Sequence, residues 1–224
     1  MSRTRKTPPP EMPKYARARK PDRATYDRAR IDPILKAGLV GHFGFVADGR
    51  PMVIPMAYAL DGDRIFLHGA SKTRAIKGTA GLPGCLTVTL IDGLVAARSA
   101  FHHSVNYRSV LVHGTAHAVT DPDKFDRALQ LITEHLLPGR YAEVRPITAK
   151  ERKATGVLEL RIDAASAKIR SGPPVDDDED HGLGLWGGIL PITTALGRGV
   201  PDGHTPADMA EPPSFSQARM RFSR

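Results

Sequence analysis

The chain has 224 residues, of which 41% are hydrophobic, and a formal net charge of +8. This length suits one sizeable domain or two small ones, and no apolar run approaches the roughly 20 residues that a membrane-spanning helix needs. The single cysteine, Cys85, excludes an internal disulfide. Together with a charged, Pro-rich N-terminus, it predicts a cytoplasmic protein.

The positive charge is concentrated in the first 30 residues, which hold ten Lys/Arg against three Asp/Glu, whereas the remaining chain is nearly balanced. A Pro-rich basic segment is typically solvated. We therefore predict that residues 1–30 form a disordered arm. The near-neutral body argues against a dedicated nucleic-acid-binding domain.

Short strands and tight turns follow the arm. The stretch "IDPILKAG" predicts a helix capped by Asp32, and "HFGFVA", "PMVIPMAYAL" and "RIFLHG" predict three strands joined at Asp48-Gly49 and Asp61-Gly62. Asp-Gly between apolar runs is a strong hairpin signal. Because Pro55 cannot donate a ladder hydrogen bond, it predicts a sheet edge or a bulge.

The pattern continues with "SKTRAIKG", which predicts a helix with Ser71 as N-cap, and with strands "CLTVTLI", "LVAARSA" and "YRSVLVHGTAHAV", the first two joined by a turn at Asp92-Gly93. "DPDKFDRALQLITEHLLPG" predicts the clearest helix, capped by Asp121. A capping box at Thr148 and Glu151 predicts another helix, and "GVLELRID" a last strand.

Six or so short strands, mostly joined by hairpins, predict a mainly β fold, an antiparallel barrel with peripheral helices. The barrel domain is expected over residues 31–170. An extended flap carrying Trp186 is expected over residues 171–196, and a flexible tail over residues 197–224.

The stretch "RSAFHHSVNYRSVLVHGTAHAV" holds four of the nine histidines. His113 and His117 would lie about 13 Å apart in a strand, too far to share a metal ion, so we predict no metal site. The adjacent residues His102 and His103 would point to opposite sides. Ser104 has no nucleophile elbow around it, which argues against a hydrolase.

An anion site is the remaining interpretation of the polar residues. The turn "HGASKTRAIKG" would present backbone N–H groups at a helix start, together with Ser71, Lys72 and Arg74. Tyr107, Arg108 and Ser109 begin a strand and offer further donors. The same turn also fits an ordinary capped helix with a solvated basic face.

Four segments occur in a recognisable order: "DGRPMVIPMAYALDGDRIFLHGA", "SKTR", "GLVAARSAFHHSVNYRSVLVHGTA" and "GPPVDDDEDHGLGLWGGILPI". In this order they resemble the pyridoxamine 5'-phosphate oxidase-like, FMN-binding split-barrel superfamily. Within it, they are most similar to the nitroimidazole-reductase-like flavoproteins. The resemblance implies a six-stranded antiparallel split β-barrel, and a homodimer with FMN sites between the subunits.

The resemblance also implies roles for individual residues. Val53, Ile54 and Pro55 would run beside the isoalloxazine ring, and His68, Gly69 and Ala70 would approach the flavin. Ser71, Lys72 and Arg74 would hold its phosphate. The site would be closed by Ser104, Tyr107, Arg108 and Ser109 of the opposite subunit, with Trp186 near the ring.

FMN would carry the redox chemistry, while the protein supplies orientation and excludes solvent. The sequence thus predicts an FMN oxidoreductase that takes hydride from a nicotinamide cofactor, NAD(P)H, and passes electrons to a small planar acceptor. His102 or His103 would be the proton donor or the acceptor-side contact. The oxidase's own substrate-binding Arg and His have no match, which argues against pyridoxamine-phosphate oxidation.

Two alternatives remain open. The first is a flavin, deazaflavin or haem carrier or sensor of the same fold, without turnover. The second is an interaction protein whose basic arm binds nucleic acid.

Overall fold

The computed structural model describes residues 7–9, 11–77, 81–206 and 208–223. The strands are β1 (Ala24–Thr25), β2 (Val40–Ala47), β3 (Arg50–Asp61), β4 (Arg64–Ala70), β5 (Leu82–Ala96), β6 (Ser104–Ala118), β7 (Thr155–Arg161), β8 (Ala164–Arg170) and β9 (Gly188–Pro191). The α-helices are α1 (Arg28–Ala37), α2 (Arg74–Lys77), α3 (Pro122–Leu136), α4 (Ala149–Ala154) and α5 (Pro213–Phe222). None of these helices is long and apolar enough to cross a membrane.

The strands pair in the order β1-β8-β6-β7-β4-β3-β2-β5-β9, and a further pairing of β6 with β5 closes six of them into a ring. The predicted six-stranded antiparallel barrel is therefore confirmed. By its internal contacts the chain divides into two compact units. The first unit comprises Met1–Gly38, Leu86–His113 and Ala164–Thr193, and the second comprises Leu39–Cys85, Gly114–Asp163 and Thr194–Arg224.

In the first unit, the N-terminal segment packs on β8 and differs from the predicted disordered arm. Met12, Ala16 and Tyr26 are buried in one cluster with Ala164, and the Tyr26 hydroxyl accepts a hydrogen bond from the Ala18 N–H at 2.9 Å. These apolar side chains lie among the basic ones, and their burial favours the ordered conformation. Residues 1–6 and 10 of the predicted arm lie outside the described residues.

The second unit packs α3 against β3, β4 and β7 around a buried cluster of Ala59, Phe66, Phe125, Ala128, Ile132 and Val157. Asp121 caps α3 by accepting from the Lys124 N–H at 2.7 Å, and Thr148 and Glu151 form the predicted capping box of α4. The β2–β3 turn has positive φ at Asp48 and Gly49, as the hairpin signal requires. The β3–β4 ladder spans Tyr58 to Asp61, so Pro55 lies beyond its end.

Three local predictions are wrong. Helix α1 begins at Arg28 and is capped by Asp27, whereas Asp32 forms an ion pair with Arg28 inside the helix. The helix after β4 begins at Arg74 rather than after Ser71. The dipeptide Asp92-Gly93 lies within the continuous strand β5 rather than in a turn.

The C-terminal tail also differs from its prediction. Residues predicted to form a flexible tail include α5, whose Ser214, Ala218 and Phe222 are buried. Ser214 donates to the Glu143 carboxylate through its backbone N–H at 3.1 Å and its hydroxyl at 2.6 Å. These contacts with the second unit hold α5 in place.

Candidate functional site

The hairpin of β2 and β3 presents an exposed, largely apolar face. Val53 pairs with Gly44, and Val46 with Pro51, so these residues share one face of the sheet. Val53 is 65% exposed and Val46 is 62% exposed. Exposed apolar surface of this kind marks binding sites. We call Val40, Gly44, Val46, Pro51, Val53 and Pro55 the β2–β3 apolar face; the exposed His42, which pairs with Pro55, lies on the same side of the sheet.

Only two of the three residues predicted to run beside the isoalloxazine ring lie on this face. Val53 and Pro55 belong to it, because they alternate along β3. Ile54 points to the opposite side, where its register partner Phe43 is fully buried. The exposed side chains of Val53 and Pro55 can pack against a planar heterocycle, so these residues fit a flavin ring. Cys85 lies beside them, because a Cβ on Gly44 would be 3.1 Å from its Sγ.

The turn after β4 contains the predicted phosphate ligands Ser71, Lys72 and Arg74, and we call it the Ser71 turn. The Ser71 N–H donates to the Ala154 carbonyl at 2.9 Å, so it is not available to an anion as the predicted helix start required. Lys72 and Arg74 are exposed. Binding of a phosphate here would therefore depend on the side chains rather than on a helix N-terminus.

Arg74 connects the Ser71 turn to the β2–β3 apolar face. Its Nη1 lies 3.4 Å from Oδ2 of Asp48, in the β2–β3 turn, and both side chains are largely exposed. An exposed ion pair contributes little to stability, so Arg74 is free to exchange its partner for a stronger anion. Gly69, just before the turn, lies beside Met56, and a Cβ on it would be in ordinary contact with the Met56 Cε at 3.4 Å. Ala70 is exposed at the end of β4.

A cavity of about 420 Å³ lies beside His68 in the second unit. Among the described residues, no hydrogen-bond partner reaches the buried His68 Nδ1, and burial lowers the pKa of the imidazole. The imidazole is therefore neutral near pH 7. The cavity is lined by His68, Leu129, Thr133, Tyr141, Val144, Arg145, Ile147, Glu151 and Thr155.

The polar wall of this cavity is electrically balanced. Arg145 binds the Glu151 carboxylate with both Nη atoms, at 2.9 and 2.6 Å. The hydrogen bonds from Arg145, and after them those from Thr148, hold the Glu151 pKa far below its usual value. Sequence reasoning found His68 but missed Tyr141, Thr133 and Arg145, because they come from separate elements with no shared motif.

In the first unit, the predicted residues on β6 have different environments. The Arg108 guanidinium binds both carboxylate oxygens of Asp92, at 2.9 and 2.5 Å, and this hydrogen bonding raises its pKa. Ser109 accepts from the Thr89 hydroxyl at 3.2 Å. Tyr107 is half-buried and lies opposite Arg170 in the β6–β8 register. Ser104 begins the strand.

The flap is held by an ion pair that the sequence did not reveal. The Asp176 carboxylate accepts from the backbone N–H of Arg98 at 3.0 Å and from its Nη1 at 2.8 Å. A Cβ on Gly187 would lie 2.4 Å from the same Nη1, so a larger residue there would displace the guanidinium. Trp186, next to it, is 66% exposed. The predicted flap is therefore attached to the loop after β5.

The two candidate proton-transfer histidines lie in that loop. His102 Nε2 is 3.4 Å from Oδ2 of Asp177. His103 Nδ1 donates to the Ser99 carbonyl at 2.9 Å, which leaves Nε2 as its second nitrogen for a ligand. In the part of the chain that the structure describes, no three His, Cys, Asp or Glu side chains are grouped as metal ligands would be.

Comparison with known proteins gives one family and several similar structures. The family model for pyridoxamine 5'-phosphate oxidase matches residues 27–169. The flavocytochrome Anf3 from Azotobacter vinelandii is 36% identical, with a TM-score of 0.85 over 92% of this chain and 96% of that one. The FAD and heme binding protein from Mycobacterium smegmatis is 34% identical, with a TM-score of 0.83 over 88% and 97% of the two chains.

A more distant structure shares the fold alone. It is described as a 5-nitroimidazole antibiotic resistance protein from Bacteroides thetaiotaomicron, with 19% identity and a TM-score of 0.55 over 65% of this chain and 86% of that one. No curated protein matches the sequence.

Proposed function

Because the chain belongs to the pyridoxamine 5'-phosphate oxidase family, we propose that it is a flavoprotein that binds the flavin ring on the β2–β3 apolar face. The family assignment confirms the resemblance found in the sequence. The observation that carries the proposal is the ion pair of Arg74 with Asp48, which joins the side chains predicted to hold the phosphate to an exposed apolar surface.

We propose FMN as the cofactor. Ser71, Lys72 and Arg74 would hold its phosphate, while Val53 and Pro55 would contact the ring. The similar structure described as an FAD and heme binding protein supports FAD as the alternative nucleotide. Bound flavin supplies the capacity to accept a hydride and release electrons.

The chain's own residues would bind and orient the flavin and the reactants, and they would exchange a proton with them. In our proposal NAD(P)H is the reductant and a small planar molecule the acceptor. His103 would exchange a proton through Nε2, because its Nδ1 is committed to the Ser99 carbonyl. His102 is the other candidate, polarised by Asp177.

A haem-containing flavoprotein is the second candidate. Two similar structures are described as a flavocytochrome and as an FAD and heme binding protein. Haem iron takes a neutral imidazole as ligand, and His68 offers one beside the 420 Å³ cavity. A flavin alone and a flavin with haem differ in their visible spectra.

The deciding experiment is an absorbance spectrum of the purified full chain, before and after addition of NADPH. We expect flavin bands that NADPH bleaches, and an added Soret band if haem is present. Colourless protein that binds neither FMN nor FAD on titration contradicts the proposal. Flavin bands that NADPH leaves unchanged would favour a carrier or sensor.

Replacing Arg74 by alanine tests the phosphate assignment. We expect FMN affinity to fall at least tenfold, because a charge-assisted hydrogen bond to phosphate contributes about 1.5–3 kcal/mol. Riboflavin, which has no phosphate, should bind both proteins equally in the same fluorescence titration. Arg50→Ala, on the same hairpin, is the control, and equal loss in both variants or an unchanged FMN affinity would contradict the assignment.

We further propose that the chain forms a homodimer through the flap of the first unit. Leu185, Trp186, Leu190 and Ile192 are exposed there, and β9 stands at the end of the strand order, where its outer edge lacks a described partner. An exposed apolar edge strand favours pairing with a second chain.

Leu190→Glu should convert the dimer to a monomer in analytical ultracentrifugation, because it would bury a carboxylate in the interface. The control is Val200→Glu, at another exposed position. A wild-type chain that sediments as a monomer at micromolar concentration would rule the dimer out.

A further inference from the structure

Arg170 is a buried cation without a carboxylate partner. It is only 7% exposed, and its Nη atoms donate to the Asn106 amide oxygen and to the carbonyls of Gly172 and Pro173. The chain's Asp and Glu residues all lie within the described residues, and none forms an ion pair with Arg170. Its buried Nε has no hydrogen-bond partner there.

Two further cations lie at the same place in the first unit. Arg23 ends a 3-10 helix that contacts β8, and its charge, after burial, contributes to lowering the pKa of Arg170. Lys168 precedes Arg170 by two residues on β8 and therefore shares its face. Both side chains are half-buried, and neither has an ion-pair partner among the described residues.

Cations without counter-charges destabilise one another, and the charge of Arg23 has this effect on the buried Arg170. An anion bound between them would remove this repulsion. The surroundings supply a further donor, because Tyr107 lies opposite Arg170 in the register of β6 and β8. The chain is open beside Gly172, whose carbonyl accepts from Arg170, since a Cβ there would meet no atom within 4 Å.

We propose that Arg170, Lys168 and Arg23 form an anion site that takes a phosphate group. Phosphate matches the site because it is compact, carries up to two charges and accepts several hydrogen bonds at once, and arginine is well shaped to donate to it. The site uses none of the residues of the Ser71 turn. It also gives a role to the basic N-terminal segment, which contributes Arg23.

The test is a titration of the full chain, without added flavin, with inorganic phosphate at constant ionic strength, measured by isothermal titration calorimetry. We expect saturable binding that weakens about tenfold in Lys168→Gln and in Arg23→Gln, since each removes one charge-assisted contact. These side chains are half-buried and unpaired, so both variants should fold. Arg161→Gln, an exposed arginine, is the matched control and should bind as the wild type does.

Two sources of the phosphate group can be separated. If the site holds the phosphate of a flavin nucleotide, inorganic phosphate will compete with FMN, and Lys168→Gln will weaken both ligands. If it holds free phosphate or that of another nucleotide, binding will persist at saturating FMN. Both outcomes support the site.

The site does not depend on the flavin assignment. Phosphate binding that survives Arg74→Ala would support the Arg170 site even if the Ser71 turn proved not to bind FMN. The proposal is overturned if the wild type shows no saturable phosphate binding, or if Lys168→Gln and Arg23→Gln bind phosphate as tightly as Arg161→Gln does.

Discussion

Replacing Gly114 by alanine is expected to lower the free energy of unfolding by about 3 kcal/mol, the upper range for overpacking in a well-packed interior. A Cβ at this position would lie 1.8 Å from the carbonyl oxygen of Arg161 and 3.0 Å from its carbonyl carbon. Both are backbone atoms of β7, so no side-chain rotation can relieve the overlap. The strands β6 and β7 would have to separate where Ala116 pairs with Leu160.

The sign of this effect distinguishes it from the usual consequence of replacing glycine. Glycine to alanine commonly stabilises by about 0.4–1 kcal/mol, because it restricts the unfolded chain. Gly182 provides the control, since a Cβ there would meet no atom within 4 Å. Urea unfolding should show a lower midpoint for Gly114→Ala and no loss for Gly182→Ala. Equal midpoints would mean that β6 does not approach β7 as closely as the structure shows.

Another close approach, of β9 to β5, explains why one Asp-Gly pair does not form the turn that its sequence predicts. At Asp48-Gly49 the dipeptide forms the predicted hairpin turn, because turn chemistry is local. The second hairpin turns one residue later than predicted, at Gly62 and Asp63, because Asp61 still pairs with Arg64. At Gly93 the glycine instead makes room for β9, as a Cβ would lie 2.9 Å from the Leu190 carbonyl oxygen. That partner strand is far along the chain, so the local sequence carries no sign of it.

The candidate site could be predicted only where one strand or one turn contains it. The order of segments identified the hairpin and the Ser71 turn, and alternation along β3 already separates Ile54 from Val53 and Pro55. The hydrogen bond of Ser71 to Ala154 overrides a local capping signal. Nothing local indicates that Arg170 is buried without a carboxylate, or that Arg98 pairs with Asp176, because both depend on distant segments of the first unit.

The C-terminal helix α5 is another element that its local sequence does not predict, since that sequence suggests a flexible tail. Three of its residues, Ser214, Ala218 and Phe222, recur at intervals of four, and all are buried. Arg221 adds a hydrogen bond from Nη1 to the Glu134 carbonyl at 3.2 Å, and its Nη2 lies 3.3 Å from Nδ1 of His135. A buried stripe this short is a weak signal in sequence. It is sufficient to hold the helix once a complementary surface exists.

Phe222→Ala should therefore destabilise the chain by about 3 kcal/mol, as removal of a buried aromatic side chain usually does. Phe222 is 3% exposed, whereas Met220 on the same helix is 78% exposed. Met220→Ala is the matched control and should change the free energy of unfolding by less than about 0.5 kcal/mol. Urea unfolding measures both. If the two variants unfold alike, α5 does not contribute its buried face to the folded chain.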